Sequence, residues 1–300
     1  MSTVPWSMPQ ADVSVTPELM SALLERDHPD LVPLGLGEVM EGWDCVTIRL
    51  GPDLAVRVPR RAHAADVIVR EHVWLPRLAQ EWTFAAPVPV RIGGPSEEIP
   101  WAWAVVPWIE GSLAFDAPLS GRGASDLGKA LAQVHVPAPE DAPRNPFRSV
   151  SLAERAERFD DRVERLVDSG VAIDADLVRS QYRAGAVRRR PPDTWAHLDL
   201  HGANVLTDGG RLAGILDWGD MGAGDPATDL GHAWCLVGSS RMRDVLKGYG
   251  SAQTRIDEAA MQRVRAEALA FAVTLAALDD ATYSEAGRLA LADLEVLDRR

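Results

Sequence analysis

Short apolar runs separated by turn residues occupy the first third of the chain, and longer amphipathic stretches occupy the rest. Four runs rich in β-branched and aromatic residues predict strands, and apolar residues at helical spacing from about 64 to 79 predict a helix among them. The predicted strands are 46–50, 54–58, 87–92 and 101–106. The sequence Gly51-Pro52-Asp53 between the first two is typical of a tight turn. We therefore expect a small antiparallel sheet with one helix.

From about residue 109 the pattern becomes mostly helical. One interruption stands out. Residues 194–200 and 204–207 have the composition of short strands, and Asp208-Gly209-Gly210 has that of the tight turn of a hairpin whose second arm leads to Asp217. The predicted helices are near 122–135, 151–168, 174–189, 226–248 and 255–297. These elements predict an α+β fold of two lobes, a small N-terminal lobe with an antiparallel sheet at 1–108 and a larger, mostly helical lobe at 109–300.

The interruption carries the strongest chemical signal. Residues 197–204 match the pattern H-x-D-x-x-x-x-N, in which an aspartate, here Asp199, orients or receives the proton of a substrate hydroxyl. Asn204 is placed to bind a metal, and Asp217 follows thirteen residues later in Asp217-Trp218-Gly219. Mg²⁺ prefers oxygen ligands and keeps several waters, so an amide, a carboxylate and nucleotide phosphates suffice. We interpret this region as a kinase active site that uses Mg²⁺. The fold is then expected to be two-lobed and like that of protein kinases, with an N-terminal nucleotide-binding lobe at 1–108 and a catalytic and substrate-binding lobe at 109–300.

The first lobe contains candidates for binding the nucleotide. Arg57 stands where a protein kinase has its strand lysine, and Glu71 lies fourteen residues on, inside the predicted helix. A guanidinium can bind phosphate and carboxylate with paired hydrogen bonds, although a surface Arg and a solvated Glu would fit the same pattern. Gly42 lies in the turn that is the candidate cover for the nucleotide phosphates, because a glycine would let the backbone approach them closely. The alternative is a turn with no role in binding. Val106 and Trp108 are expected to line an adenine pocket, with core packing as the alternative for Trp108.

Two features indicate a small acceptor rather than a peptide. Leu198 occupies the position of the arginine that contacts a phosphorylated activation loop in protein kinases. Only four residues separate Gly219 from Gly224, which leaves no room for such a loop. The acceptor is therefore expected to be a small hydroxylated molecule.

Composition and charge narrow the partners. With 46% apolar and 25% charged residues, the chain is typical of globular proteins. A net charge of −13 argues against nucleic acid and anionic membranes as partners and permits a cationic acceptor. No signal peptide or membrane-spanning run is evident, which predicts a cytoplasmic protein, and we expect a monomer or weak dimer. Cys45 and Cys235 are too few for a disulfide framework and are expected to be small apolar residues.

Taken together, these motifs resemble the aminoglycoside phosphotransferase family. The resemblance rests on Gly42-Trp43-Asp44, residues 56–61, 70–72 and 197–204, Asp217-Trp218-Gly219 and residues 224–230. An arginine at the position of the strand lysine makes the chain resemble the branch that also includes macrolide phosphotransferases. The resemblance implies ATP or GTP as the phosphoryl donor, Asp199 as catalytic base, Asn204 and Asp217 as Mg²⁺ ligands, and Arg57 with Glu71 as the triphosphate clamp. It also implies that Asp225 and Asp229 brace the catalytic loop and cap the next helix.

The identity of the acceptor stays open at this point. An aminoglycoside fits the family and the acidic balance, a macrolide fits the strand arginine, and a metabolic sugar or amino alcohol is a third candidate. A nucleotide-binding regulator without turnover is disfavoured by the intact Asp199, Asn204 and Asp217. A cationic acceptor would be attracted if several acidic residues line its pocket, and six are candidates: Asp220, Asp225, Asp257, Glu258, Asp279 and Asp280.

Overall fold

The computed structural model describes residues 9–188, 190–250 and 256–297. Its contacts divide the chain into two compact units. One runs up to Glu110 and also contains Ile215–Gly219, and the other runs from Gly111 to Gly214 and continues from Asp220. The α+β, kinase-like fold class is confirmed, because an antiparallel sheet dominates the first unit and helices dominate the second.

The first unit is built on a five-stranded sheet whose strand order is β1-β2-β3-β5-β4. Every neighbouring pair is antiparallel, and Arg57 on β3 pairs with Thr47 on one side and Ala104 on the other. Arg57 is therefore held in the middle of the sheet rather than at an edge. The strands are β1 (Leu36–Glu41), β2 (Cys45–Leu50), β3 (Leu54–Pro59), β4 (Arg91–Gly93) and β5 (Trp103–Pro107).

Two helices accompany this sheet, α1 (Pro17–Asp27) and α2 (Ala62–Leu78). The prediction of α2 is confirmed, whereas α1 was not predicted. Its signal is local: the side chain of Thr16 caps the helix by accepting a hydrogen bond from Leu19 N, and Pro17 occupies the first turn. The apolar face of α1 packs on one side of the sheet and closes the core of the unit, in which Met20 is fully buried.

Strand 87–92 was predicted too early in the chain. The structure begins β4 at Arg91, because Pro87 and Pro89 have no N–H to give to a sheet and Val88 N bonds locally to Ala86 O. The strand then packs closely on β5. A Cβ on Gly93 would lie 1.9 Å from the ring of Trp103, so this contact requires glycine.

The second unit contains seven helices and short strands within the described residues. The helices are α3 (Gly121–Val134), α4 (Ala156–Asp168), α5 (Ala175–Ala186), α6 (Pro226–Val237), α7 (Ser239–Gly250), α8 (Glu258–Ala276) and α9 (Ala281–Asp293). The strands are β6 (Ser112–Leu113), β7 (Thr194–Ala196), β8 (Val205–Asp208), β9 (Arg211–Ile215) and β10 (Gly222–Gly224). They form two small sheets, of order β6-β8-β9 and β10-β7. The predicted hairpin with its Gly209-Gly210 turn is thus confirmed as β8 and β9, and both glycines have positive φ.

Three predicted helices differ from the structure. The stretch 226–248 is two helices, because Gly238 at φ +76° ends α6. The stretch 255–297 is also two helices, since Asp280 caps the start of α9. The helix expected from 151 begins only at Ala156. Residue 189, at the end of another predicted helix, and residue 255 lie outside the described residues.

A single apolar cluster holds α4, α5, α8 and α9 together, and it includes the stacked rings of Phe159 and Tyr182. Helix α6 approaches α8 closely at Gly231, where a Cβ would lie 2.6 Å from that of Glu267. This packing fixes the start of α6, which matters for the site described below. Neither cysteine forms a disulfide, and burial raises the pKa of Cys45 to about 12. Among the described helices, none combines the length and apolarity needed to span a bilayer.

Candidate active site

The loop that follows β7 is braced by one buried carboxylate. Asp229, in the first turn of α6, accepts hydrogen bonds from His197 N and from Leu198 N through its two oxygens, both at 2.7 Å. Its side chain is fully buried and also lies 3.0 Å from Nε2 of His135. Asp225 caps the same helix by accepting from Ala227 N. The predicted roles of Asp225 and Asp229 are therefore confirmed.

The braced loop has an unusual backbone. Leu198 adopts φ +67°, a left-handed conformation that costs a residue with a Cβ roughly 1–2 kcal/mol. Such a conformation persists only where the surroundings enforce it. The hydrogen bond to Asp229 and complete burial of the Leu198 side chain supply that constraint. The same loop then continues directly into Asp199.

Asp199, the predicted base, is flanked by two basic side chains of the second unit. Its Oδ1 lies 2.8 Å from Arg148, and its Oδ2 lies 3.6 Å from Nε2 of His201. Burial alone would raise the pKa of Asp199, but the charges of Arg148 and His201 outweigh it and hold this pKa well below its usual value. Asp199 is therefore ionised at any physiological pH. Arg148 was not predicted, since it lies 51 residues upstream in a loop that matches no kinase motif.

Asn204, a predicted metal ligand, is fastened to the same loop. Its Nδ2 donates to the main-chain oxygen of Asp199 at 2.9 Å, and its own N–H donates to His201 O. Because the amide nitrogen is used in this way, the amide oxygen is the end available to a metal. The structure thus connects Asn204 to Asp199 directly, as the five-residue spacing suggested.

In the first unit, Arg57 bridges two carboxylates. It lies 2.5 Å from Oε1 of Glu71 and 2.7 Å from Oδ1 of Asp217. The pair with Glu71 was predicted from spacing, and the contact with Asp217 was not. Burial disfavours the charged form of Arg57, but the two carboxylates outweigh it and hold the pKa of Arg57 above its ordinary value. For Glu71, burial is the stronger effect, and it raises the pKa although the charge of Arg57 acts to lower it. Arg57 therefore remains cationic beside the predicted Mg²⁺ ligand.

The segment around Asp217 is anchored by an aromatic stack. Asp217 adopts φ +55°, and the next residue, Trp218, is fully buried with its ring centroid 4.6 Å from that of Trp82 and 6.1 Å from that of Phe84. Its indole N–H donates to Ile215 O. With these contacts Trp218 fixes the backbone that presents the Asp217 carboxylate, which is about half exposed.

The remaining predicted nucleotide-binding residues also lie in the first unit. Gly42 N donates to Cys45 O at 2.8 Å, so this donor closes the turn and cannot point at a phosphate. Any role of Gly42 would therefore rest on its small size. Val106 forms a small apolar cluster with Ala55, with Trp108 packed against it, and Trp108 N donates to Asp53 O at 2.8 Å.

Several acidic residues suggested for an acceptor pocket already have structural partners. Asp257 and Asp280 cap α8 and α9, accepting hydrogen bonds from Ala260 N and from Thr282 N respectively. Asp225 lies 2.9 Å from Arg263, and Asp220 lies 2.5 Å from Arg148. These four carboxylates are therefore committed to caps and ion pairs and do not form a free acidic array.

The ligand chemistry fits Mg²⁺ better than a transition metal. No group of three or more His, Cys, Asp or Glu side chains in the described residues is arranged to hold a metal ion. The amide oxygen of Asn204, in the second unit, and the exposed carboxylate of Asp217, in the first, are each hard oxygen donors of the kind that Mg²⁺ prefers.

Comparisons with known proteins place the chain in context. A family model described as the phosphotransferase enzyme family matches residues 38–283. The solved GDP complex of wild-type aminoglycoside 2'-phosphotransferase-IIIa is 20% identical, with a TM-score of 0.67 over 94% of this chain and 99% of that chain. Macrolide 2'-phosphotransferase MphH from Brachybacterium faecium is 21% identical, with a TM-score of 0.60 over 91% and 98%.

A third solved structure, the streptomycin-ATP-APH(2")-IIa ternary complex, is 18% identical, with a TM-score of 0.57 over 95% of this chain and 100% of that chain. No curated protein matched the chain. At these identities the likeness to solved structures establishes the fold.

The brace on the loop leads to a stability prediction. Asp229→Asn keeps the size of the side chain but replaces one acceptor oxygen with a donor, which leaves His197 N or Leu198 N buried without a partner. We expect the free energy of unfolding to fall by about 2–5 kcal/mol in urea titrations. Asp257→Asn, at an exposed cap, is the matched control and should cost about 1 kcal/mol or less. Equal costs for the two variants would contradict the brace.

The same carboxylate predicts a pH dependence. Burial opposes its ionisation, but the hydrogen bond and charge of His135 lower the pKa of Asp229 to about 2. Because the folded pKa lies below the unfolded one, the stabilisation is complete above about pH 5 and is lost as pH falls toward 2, amounting to about 2 kcal/mol. Stability curves should show this loss in the wild type and lack it in Asp229→Asn.

Proposed function

The chain belongs to the phosphotransferase enzyme family, and from that premise we propose that it transfers the γ-phosphoryl group of ATP or GTP to a hydroxyl group of a small antibiotic, with an aminoglycoside-like acceptor as the first candidate. The observation that carries this proposal is the braced loop, in which Asp229 holds the backbone before Asp199 and Asn204 is fastened to the backbone of Asp199. Such a loop holds a carboxylate ready for an acceptor hydroxyl.

The low pKa of Asp199 suggests how that carboxylate acts. A weakly basic carboxylate removes a proton poorly from a ground-state alcohol. The transition state of phosphoryl transfer is loose, however, and the alcohol becomes acidic only as its bond to phosphorus forms. Asp199 would therefore orient the hydroxyl by accepting its hydrogen bond and take up the proton late in the reaction.

Asn204 and Asp217 are the residues that would hold Mg²⁺ through oxygen atoms. When bound, Mg²⁺ would supply positive charge that neutralises charge developing on the nucleotide phosphates. Arg57 would contribute a second, fixed positive charge, since Glu71 holds its guanidinium from the buried side. Its planar fork can bind a phosphate oxygen pair as well as the carboxylates it contacts here.

Nucleotide complexes of similar folds support a nucleoside triphosphate as the donor, because the solved structures include complexes with GDP, ATP and ADP. Other solved structures of similar fold are complexes with kanamycin, streptomycin and gentamicin. Each is a property of that protein. They support an aminoglycoside as the first compound to test on this chain.

A macrolide is the second candidate, and the pairing of the acidic residues favours it. Four of the carboxylates considered for an acceptor pocket are occupied in caps and ion pairs. They leave little uncompensated negative charge for a polycation, and an acceptor with a single amine depends less on such charge. A macrolide 2'-phosphotransferase is also among the similar folds.

Replacing the carboxylate of Asp199 tests the proposed reaction. We expect Asp199→Asn and Asp199→Ala to lower kcat by about 10²–10⁴-fold while nucleotide affinity stays nearly unchanged, because the group acts on the acceptor. Steady-state transfer and calorimetric nucleotide binding separate the two effects. A variant that keeps more than half of the wild-type kcat would exclude Asp199 as the base. If the wild-type protein itself binds nucleotide but transfers no phosphoryl group, it is a regulator rather than an enzyme.

The nucleotide clamp can be tested at Arg57. Arg57→Ala should raise the KM for nucleotide far more than that for acceptor, since a lost charge-assisted pair costs on the order of 1.5–3 kcal/mol, and Arg57→Lys should recover part of the loss. Arg91→Ala, on β4 of the same sheet and exposed, is the control. If Arg57→Ala only lowers the melting temperature and the folded fraction keeps its nucleotide KM, the arginine is structural.

The charge of the acceptor can be measured directly. Acceptor KM for aminoglycosides and macrolides should be compared between low and high salt, because attraction of a polycation is screened beyond about 10 Å at 0.1 M salt. For an aminoglycoside substrate bound by charge, we expect KM to rise steeply with ionic strength. A flat response for the best substrate would exclude electrostatic capture and favour the macrolide candidate.

A further inference from the structure

The loop that carries Arg148 is a closed, internally bonded turn. The side-chain oxygen of Asn145 accepts hydrogen bonds from Phe147 N and from Arg148 N, at 2.9 and 3.0 Å. Asn145 N donates to Ser149 Oγ, and Ser149 N donates back to Asn145 O. Both Asn145 and Ser149 are buried. The backbone of Arg148 is therefore fixed before its side chain makes any contact.

This turn is attached to the strand that follows Asp220. Ala223 N on β10 donates to Pro143 O at 2.8 Å. The approach is so close that a Cβ on Gly222 would lie 2.4 Å from the same oxygen. Strand β10 in turn pairs with β7, with Gly222 opposite Ala196, and β7 leads into the loop of Asp199. The turn, Asp220 and Asp199 therefore belong to one connected framework.

The guanidinium of Arg148 spans two carboxylates on that framework. One terminal nitrogen lies 2.8 Å from Oδ1 of Asp199, and the other lies 2.5 Å from Oδ2 of Asp220. A planar guanidinium can hold two carboxylates at a fixed distance and angle, which the rotating ammonium of lysine cannot do. The ring of His201 also lies near Asp199, but its Nε2 is farther from the carboxylate than Arg148 is, at 3.6 Å from Oδ2.

We propose that Arg148 is the positioning residue of the catalytic carboxylate and that Asp220 holds Arg148 in place. The inference rests on the proposed function of Asp199. A carboxylate oxygen has two acceptor directions, so a donor from Arg148 on Oδ1 leaves acceptor capacity on Asp199 for the substrate hydroxyl. The chain thereby orients its base by an ion pair from outside the kinase motifs, and it uses a residue next to Asp217-Trp218-Gly219 as the anchor.

The test uses Arg148→Ala, Arg148→Lys and Asp220→Asn in the full chain, with Arg122→Ala, an exposed arginine on α3, as the matched control. Misplacing a catalytic group by about 1 Å can cost on the order of 10²-fold. We expect Arg148→Ala to lower kcat by that order with nucleotide KM within about twofold of wild type. Arg148→Lys and Asp220→Asn should lose less, and Arg122→Ala should match the wild type.

Chemical rescue separates positioning from a merely structural role. Added guanidinium or methylguanidinium, well below denaturing concentrations, should restore part of the kcat of Arg148→Ala and should not affect Asp199→Ala. If Arg148→Ala does not fold, Asp220→Asn decides, because it keeps both Arg148 and the shape of the anchor. Its kcat should fall at unchanged melting temperature and nucleotide KM.

Three results would overturn the proposal. They are an unchanged kcat in Arg148→Ala or, if that variant does not fold, in Asp220→Asn; a raised kcat, which would mean that Arg148 restrains the base; and a loss of kcat that is not rescued and comes with a lower melting temperature. Asp199→Ala, measured alongside, keeps the two hypotheses apart. If Asp199→Ala remains active, the proposed function itself fails, whereas an inactive Asp199→Ala with an active Arg148→Ala removes only the role of Arg148.

Discussion

The second unit depends on one fully buried carboxylate. Asp229 accepts hydrogen bonds from the backbone N–H groups of two consecutive residues, His197 and Leu198, and so fixes both the direction of the chain ahead of Asp199 and its left-handed turn. The cost of burying the charge is offset by these two donors and by His135, which lies between Asp229 and the hydroxyl of Tyr249 on α7. Three segments distant in sequence thus converge on a single anion.

The first unit is organised around the opposite charge. Arg57 lies on a central strand, between the buried carboxylate of Glu71 and the half-exposed carboxylate of Asp217. A lone buried guanidinium would be costly, and two carboxylates side by side would repel each other, so each charge makes the others tolerable. Arginine fits this place because it offers two terminal nitrogens in one plane. The substitution of arginine for the lysine of protein kinases therefore keeps the charge and adds a second attachment point.

Local pattern was sufficient to predict much of this. Strands β2 and β3, helix α2, the β8–β9 hairpin and the Arg57–Glu71 pair all follow from alternation, turn residues or fixed spacing. The predictions that were wrong or missing concern features that residue spacing does not encode. Helix boundaries at Gly238 and Asp280 depend on where an amphipathic stretch is interrupted, and the prolines near β4 forbid pairing that the apolar run suggested. The contact of Arg148 could not be predicted from the sequence, because Arg148 reaches Asp199 only when β7 and β10 pair and Pro143 bonds to β10.

The discontinuous make-up of the first unit has a consequence for synthesis. Residues up to Glu110 leave the ribosome long before Ile215–Gly219, yet the unit contains both. Until the later segment arrives, Trp82 and Phe84 lack the indole that packs against them, and Arg57 has only one of its two carboxylates. Until then the partly folded sheet exposes an aromatic surface, and in that state the chain is most accessible to chaperones and proteases. The chain can complete its first unit only when more than two thirds of the protein has been made.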